Sequence, residues 1–251
     1  RASMRIALHH AKTDSLTGLP SRNVLQVELQ EQLARKEFAC AMLFIDLDRL
    51  SKVNENLGHG AGDDILRQTA ERLGHLIREH DRLVRFEGDQ FLLALTQLPC
   101  QEKDLYTLLT DIANRCLETI ASPFSIGTEA VKISASIGIS IFPTISSTAE
   151  ELVRHANIAM HQAKRHMSGR FLFYEPSMES ATRYSFQLEN RMREALERNE
   201  FELHYQVQLE LANGRIAGVE ALIRWRNPQL GLVPPGQFIP MAEETGLINE
   251  I

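Results

Sequence analysis

Arg85-Phe86-Glu87-Gly88-Asp89-Gln90-Phe91 lies between two short apolar runs, Arg82 to Phe86 and Phe91 to Leu95. Both are too short for helices and rich in Val, Leu and Phe. Two such runs separated by a few polar residues with a Gly predict a β-hairpin closed by a tight turn. An acidic turn is a common surface feature. It acquires chemical meaning if it lifts Asp89 toward a second carboxylate with which it could hold a metal. Ala39 to Ile45, an unbroken apolar run ending in Asp46-Leu47-Asp48, offers that partner. Its pattern predicts a strand buried on both faces in the middle of a sheet. The two acids at its end are expected to leave the core at the sheet's edge.

The flanking sequence fills in around these two pieces. Asp14-Ser15-Leu16-Thr17-Gly18-Leu19-Pro20 is dense in turn residues. Ser21 can cap a helix carrying Leu25, Leu29 and Leu33. A short helix over about Arg49 to Leu57 leads to Gly58-His59-Gly60-Ala61-Gly62, and a longer one is expected from Asp63, which could cap it. Leu105, Leu109, Cys116 and Ile120 mark another helix. Val131 to Ile141 alternates apolar and polar, which predicts a half-buried strand. A helix through Leu152, Ala156 and Met160 and a strand from Phe171 to Tyr174 complete an α/β (α+β) sheet with packed helices, ending near Pro176. A second unit follows: a helix with Leu188, Met192 and Ala195, strands over Phe201 to Leu209 and Ile216 to Trp225, and a helix start around Pro235. It has too few elements to close a core.

The 251 residues and 43% hydrophobic content suffice for a large core or two domains. A net charge of −6 gives no basic footprint for nucleic acid. Cys40, Cys100 and Cys116 are odd in number and lack metal spacing, so they read as reduced, mostly buried cytoplasmic residues. No apolar run approaches a membrane span. The chain begins without Met and ends at Glu250-Ile251, so it reads as a piece of a longer protein.

Taken together, Asp14 to Arg22, Phe44-Ile45-Asp46-Leu47-Asp48, Asn54, Gly58-His59, Gly62-Asp63 and the hairpin with Arg85 resemble a GGDEF domain. That is the diguanylate cyclase family, which joins two GTP molecules into cyclic di-GMP. The resemblance covers about Lys12 to Pro176 and implies a sheet similar to the nucleotidyl-cyclase and polymerase palm. Domain limits follow as a linker helix over 1–12, the GGDEF-like domain over 13–176, a linker helix over 177–199 and a further segment over 200–251. The family's reaction attacks an α-phosphate and needs Mg2+ or Mn2+, which takes hard oxygen ligands. By resemblance Asp46, the Leu47 carbonyl and Asp89 are metal positions, with Asp89 also catalytic. Asn54 and Asp63 match guanine-binding positions and Lys164 a phosphate-binding lysine. Arg78-Glu79-His80-Asp81 matches the family's RxxD product-binding motif, in which Arg78 and Asp81 form an inhibitory site.

The departures from the family pattern concentrate on the chemistry. The signature turn has two glycines, an acid, a Glu and a Phe, whereas this chain has Glu87 for the first glycine and Gln90 for the Glu. Ser51 stands where a phosphate-binding lysine belongs, with Lys52 one step on, and Ser168 replaces an arginine, with Arg170 two residues later. These changes imply a non-catalytic module that keeps GTP or cyclic di-GMP as its ligand. The alternatives are an active cyclase with a variant signature and a purely structural dimerisation module.

The second unit resembles the start of an EAL domain, the cyclic di-GMP phosphodiesterase family with a TIM-like barrel. The carriers are Phe201 to Gln206, Val219-Glu220-Ala221-Leu222-Ile223-Arg224-Trp225 and Pro235 to Glu243. By resemblance Glu220 is a metal ligand and Gln206, Leu222 and Arg224 touch the dinucleotide, while Val207 replaces a usual proline. The family's other metal carboxylates and its general-base lysine would lie beyond Ile251, so hydrolysis is not expected of this segment. Partners implied are an upstream sensor, the downstream EAL domain and a second copy in a homodimer. The site is expected in the cytoplasm, with membrane anchoring, if any, upstream. The region after about Ser180 is expected to leave strand edges and apolar faces open.

Overall fold

The computed structural model describes residues 13–35, 38–166 and 168–251; the linker helix expected over residues 1–12 lies outside them. The chain divides into two units, one running to Glu179 and the other from Ser180 to Ile251. In chain order the first contains α1 (Arg22–Arg35), β1 (Ala39–Leu47), α2 (Leu50–Leu57), α3 (His59–Gly74), β2 (Arg82–Arg85), β3 (Gln90–Leu98), α4 (Glu102–Ala121), β4 (Phe124–Ile126), β5 (Glu129–Val131), β6 (Ala135–Phe142), α5 (Ala149–His166) and β7 (Phe171–Phe173).

β1 is buried along its whole length because both of its faces are covered. Ala41, Leu43 and Ile45 join Ile65 and Leu73 of α3 and Leu109 and Cys116 of α4 in one cluster. Cys40, Met42 and Phe44 join Leu25 and Leu29 of α1 and Leu152, Ala156 and Met160 of α5 in the other. The period-2 geometry of a strand sends alternate residues to opposite layers, which is why the run contains no polar residue before Asp46. The sheet order is β2-β3-β1-β6-β7. β1 pairs antiparallel with β3 and β6, and β7 pairs parallel with β6. β2 and β3 form the expected hairpin, with Arg85 opposite Phe91.

Several expectations need correction. β6 is buried on both faces, not half-buried, and Val131 belongs to the separate strand β5. The face that reads as polar is Ser136, Gly138 and Ser140, residues small enough for α5 to lie directly on them. A Cβ on Gly138 would stand 1.9 Å from the Ala156 carbonyl oxygen. Ser140 and Ser146 share a hydroxyl hydrogen bond of 2.8 Å, and Ser146 Oγ lies 2.8 Å from His155 Nδ1, so the polar atoms are satisfied internally. Asp46 and Asp48 do not leave the core: they are 3% and 2% exposed. α3 begins at His59 with Gly58 at its N-cap in a positive-φ conformation, so Asp63 sits inside the helix and does not cap it. The short β4–β5 hairpin, three residues on each side, carries too few apolar residues to have been read as strands.

The second unit takes up the continuation of α6 (Ser177–Glu197), followed by β8 (Phe201–Leu209), β9 (Ile216–Asn227), β10 (Gly231–Val233) and α7 (Pro235–Thr245). Its sheet is antiparallel in the order β10-β9-β8. Contrary to expectation it does close a small core, in which Met192 and Ala195 of α6 pack with Trp225, Phe238 and Met241. The Trp225 and Phe238 rings meet edge-on at 5.7 Å. That core covers only one end of one sheet face. Further along the same face Leu203, Tyr205, Val207 and Val219 remain 52–65% exposed. Three strands do not make a barrel, and the open face is the one expected of an incomplete one. Among the described residues, no helix is long and apolar enough to cross a membrane.

Candidate nucleotide and metal site

The end of β1 and the β2–β3 hairpin assemble the site. Antiparallel register places Asp46 opposite Gln90, and the Leu47 amide donates to the Asp89 carbonyl at 3.2 Å. The turn itself is closed by Phe86 N–H to the Gln90 carbonyl and Gln90 N–H to the Glu87 carbonyl, both 2.8 Å, with Gly88 at φ +51°. Arg85 fastens the turn from outside. Its Nη2 donates to the Gly88 carbonyl at 2.7 Å and its Nη1 lies 3.3 Å from Asp14 Oδ1. Burial works against the Asp14 charge, but donors on Thr17 and the Arg85 cation hold its carboxyl below the ordinary aspartate range.

Asp46 is covered from both sides. Lys164, reaching from α5, donates to Oδ1 at 2.6 Å, and Gln90 Nε2 donates to Oδ2 at 3.2 Å. Burial opposes the Lys164 charge, but the Asp46 hydrogen bond and charge, with Asp89 and Asp48 nearby, outweigh it and raise its pKa. Asp89 moves upward as well, first from burial and then from the Asp46 charge. Asp89, whose carboxyl is pushed upward by burial and by the Asp46 charge, and Asp46 form a hard-oxygen pair whose repulsion a divalent cation relieves. The residues present therefore fit Mg2+ or Mn2+ at two carboxylates. Among the described residues no three acidic, His or Cys side chains converge as a metal cluster.

This strain is measurable. Asp89→Asn is expected to raise the melting temperature at pH 7 in EDTA. A carboxyl whose folded pKa lies above its ordinary 3.8 stabilises the fold fully below that value and loses the contribution as pH rises through the folded pKa. An amide has no such loss. Mg2+ at ten times its Kd should then stabilise the unsubstituted chain by ~1.4 kcal/mol and leave Asp89→Asn unmoved. Equal Mg2+ responses in scanning calorimetry would refute the pairing.

The remaining predicted residues fall into three places. Asn54 lies on α2 and Asp63 on α3. The Asn54 Oδ1 is buried and has no partner among the described residues, and a Cβ on Gly62 would come 2.0 Å from it, so Gly62 is what makes room for this amide. Ser51 and Lys52 are exposed on α2, and Lys52 lines a separate cleft with Arg49 and Lys132. Arg78 and Asp81 border an open groove with Asp111 and Arg115 of α4. The Asp81 carboxylate accepts from the Arg78 amide at 2.9 Å and the Thr96 amide at 3.3 Å, so it also holds the turn. In the second unit Gln206 stands opposite Glu220, and strand alternation puts Leu222 and Arg224 on that same face, opposite the one bearing Trp225.

Sequence reading gave Asp48 no role. It is the buttress behind the site: Ser134 Oγ donates to it at 2.6 Å, Ser136 Oγ at 2.9 Å and the Gly169 amide at 3.2 Å, locking the end of β1 to β6 and to the approach of β7. Serines at alternate positions 134 and 136, at the entry to β6, were the available signal. A second unread feature is Glu179, in the first turn of α6. It accepts from Arg154 Nη1 and lies 3.6 Å from His155 Nε2, while the His155 ring stacks on Tyr174 at 4.0 Å. The Arg154 hydrogen bond is the main reason its carboxyl sits below the usual range.

A palm-like sheet with paired acids at a strand end and on the facing hairpin defines a nucleotidyl-cyclase class of protein. The chain belongs to the diguanylate cyclase, GGDEF domain family, whose model matches residues 11–170; the EAL domain model matches residues 189–251. It is similar to the bifunctional diguanylate cyclase/cyclic di-GMP phosphodiesterase MucR of Pseudomonas aeruginosa, 40% identical over 254 residues, covering 100% of this chain and 36% of MucR. The cyclic di-GMP phosphodiesterase NbdA of the same organism is 34% identical over 244 residues, covering 96% of this chain and 30% of NbdA. The chain thus spans about a third of the length of these curated relatives. Among solved structures, the GGDEF domain of TpbB (YfiN) from Pseudomonas aeruginosa superimposes with TM-score 0.63 at 31% identity, covering 68% of this chain and 99% of that one. The chain is thus a GGDEF domain followed by a segment that matches the EAL domain model.

Proposed function

We propose that the GGDEF part of this module is regulatory and non-catalytic, binds GTP or cyclic di-GMP, and passes its state through α6 to an adjoining EAL phosphodiesterase. The observation that carries this reading is Gln90. It stands directly across from Asp46 and donates an amide hydrogen bond to it, where the family's signature has a second acid. An amide adds no negative charge to a metal site, and its N–H competes with a cation for the same carboxylate oxygen. Glu87 adds to this by placing a carboxylate in the turn where glycine lets a triphosphate approach, and Ser51 supplies no phosphate cation.

In this reading Asp46, Asp89 and the Leu47 carbonyl would hold Mg2+ or Mn2+, whose chemistry when bound is to neutralise charge on the triphosphate. Lys164 would meet a phosphate, Asn54 and Asp63 the guanine, and Arg78 with Asp81 the cyclic dinucleotide; an arginine's planar donor fork suits both guanine and phosphate. Glu220 would serve an EAL metal, and Gln206, Leu222 and Arg224 its substrate. The likeness to NbdA, a cyclic di-GMP phosphodiesterase, supports a phosphodiesterase output for the whole protein. An upstream sensor domain and a homodimer belong to the same proposal.

The test is titration of this chain with GTP and with cyclic di-GMP in Mg2+, with products resolved by chromatography. Binding without turnover is expected. The likeness to MucR, a bifunctional diguanylate cyclase/cyclic di-GMP phosphodiesterase, and the retained Asp46–Asp89 pair favour a second reading, an active cyclase with a variant turn; turnover abolished by Asp89→Ala would establish it. Absence of binding by either nucleotide would leave a scaffold role.

A further inference from the structure

His155 is a buried titratable side chain, 7% exposed, that the proposed nucleotide chemistry does not use. It precedes Ala156, whose carbonyl rests over Gly138, so the bedding of α5 on β6 fixes its backbone. The ring is fixed as well. Tyr174 stacks on it at 4.0 Å with 8° between the planes. Ser146 Oγ lies 2.8 Å from Nδ1, and Arg154 Nη2 lies 2.9 Å from Nε2. A guanidinium can only donate, so Nε2 accepts and the ring is neutral with its proton on Nδ1. That proton is donated to Ser146, whose own hydroxyl is 2.8 Å from Ser140 Oγ. Arg154 thus holds two acceptors at once, His155 through Nη2 and Glu179, in the first turn of α6, through Nη1.

A proton on Nε2 is incompatible with this arrangement, because two N–H donors and two cations would face each other. The stacked, tethered ring cannot turn away. Arg154 can, since its side chain is 51% exposed. Glu179 Oε1 lies 3.6 Å from Nε2, close enough to become the acceptor. The other charged or titratable neighbours are engaged: Glu151 accepts from the Ser147 amide at 2.8 Å, and the Tyr174 hydroxyl donates to Glu179. We propose that His155 is a proton-operated selector at the root of α6: neutral, it shares Arg154 with Glu179; protonated, it expels Arg154 and takes Glu179 itself. The device needs neither nucleotide nor the Asp46–Asp89 pair. Burial first, then the Arg154 cation, hold the ring's pKa below its ordinary 6.5, against the pull of Glu179 and Glu151. The sign follows: the neutral arrangement is complete above that ordinary value and is lost as pH falls through the lower folded one.

The test is nuclear magnetic resonance of the full chain, following imidazole and backbone nitrogens from about pH 8 to about pH 5. At the upper end His155 is expected to carry its proton on Nδ1 and leave Nε2 bare. Its titration midpoint should fall below the ordinary 6.5. The backbone amides of Glu179 and its neighbours in the first turn of α6 should shift with that same midpoint, and the step should vanish in His155→Gln. Arg154→Met should raise the midpoint, by removing the opposing cation, and Glu179→Gln should lower it, by removing the carboxylate that receives the proton's charge. A histidine that only fills space would leave the first-turn amides unmoved. A proton on Nε2 at the upper end, a ring still neutral at the lower end, or first-turn amides that do not follow the His155 midpoint would each overturn the proposal. The tautomer and the amide shifts of the unsubstituted chain decide it if a variant fails to fold.

Discussion

Gly138→Val is expected to unfold the first unit or leave it far less stable. The added Cβ would stand 1.9 Å from the Ala156 carbonyl oxygen, 2.1 Å from the Met160 amide nitrogen and 2.8 Å from the Ala159 carbonyl carbon. All three are backbone atoms of α5, so no rotamer change relieves the overlap. Overpacking by a few methylenes costs about 1–3 kcal/mol where side chains can give way. Here the helix as a whole must lift, and a loss of ~4 kcal/mol, among the larger single-residue effects, is the reasonable scale. For a domain of this size that corresponds to a fall of roughly 8–16 °C in Tm. Gly138→Ala should show most of the effect, because the Cβ alone makes the clash. A melting temperature within about 2 °C of the unsubstituted chain, read by far-ultraviolet circular dichroism, would mean that α5 does not rest on the sheet in this way.

The second large effect concerns chemistry. Restoring the family pattern with Ser51→Lys, Glu87→Gly and Gln90→Glu together is expected to create or raise turnover of GTP to cyclic di-GMP in Mg2+ by at least about 10²-fold. One preorganised charge-stabilising group is commonly worth that much in kcat, and these changes restore a phosphate cation, a close backbone approach and a third metal-side acid. Adding Asp89→Ala to the triple variant should remove the gain. If the unsubstituted chain turns over as fast as the triple variant, the proposal that the turn has lost catalysis fails. If the triple variant binds GTP and stays inert, the defect lies elsewhere in the site.

Much of this was legible in the sequence, for identifiable reasons. β1 announced itself because a strand covered on both faces has no polar residue to spend on solvent. The hairpin was legible because its turn carries Gly88 between two short apolar runs, and the pairing of Asp46 with the turn followed once both were strand ends. What failed was inference from polarity to exposure. Ser136 and Ser140 look solvated in one dimension, yet they are the small residues under a helix, and only packing distinguishes the two cases. Asp46 and Asp48 look like a strand leaving the core, yet the donors that let them stay buried come from residues 44 to 121 positions away, which no local pattern records. The start of α3 was misplaced because a glycine-rich run with Gly58 at positive φ caps a helix without a side-chain signal. In the second unit the core was underestimated because Trp225, Phe201 and Phe238 are distant in sequence and fill it with very few elements.

The seating of α5 on Gly138 has a mechanical consequence. Between Arg154, which clamps Glu179, and Lys164, which clamps Asp46, the helix spans ten residues, roughly 15 Å of rigid rod. With its middle pressed against bare strand backbone, the rod cannot tilt by small degrees; it is either bedded or lifted. On the regulatory reading proposed above, a ligand that pulls Lys164 away from Asp46 would act on Glu179, at the root of α6, as a catch being held or released, and the signal would be two-valued where a looser contact would make it graded.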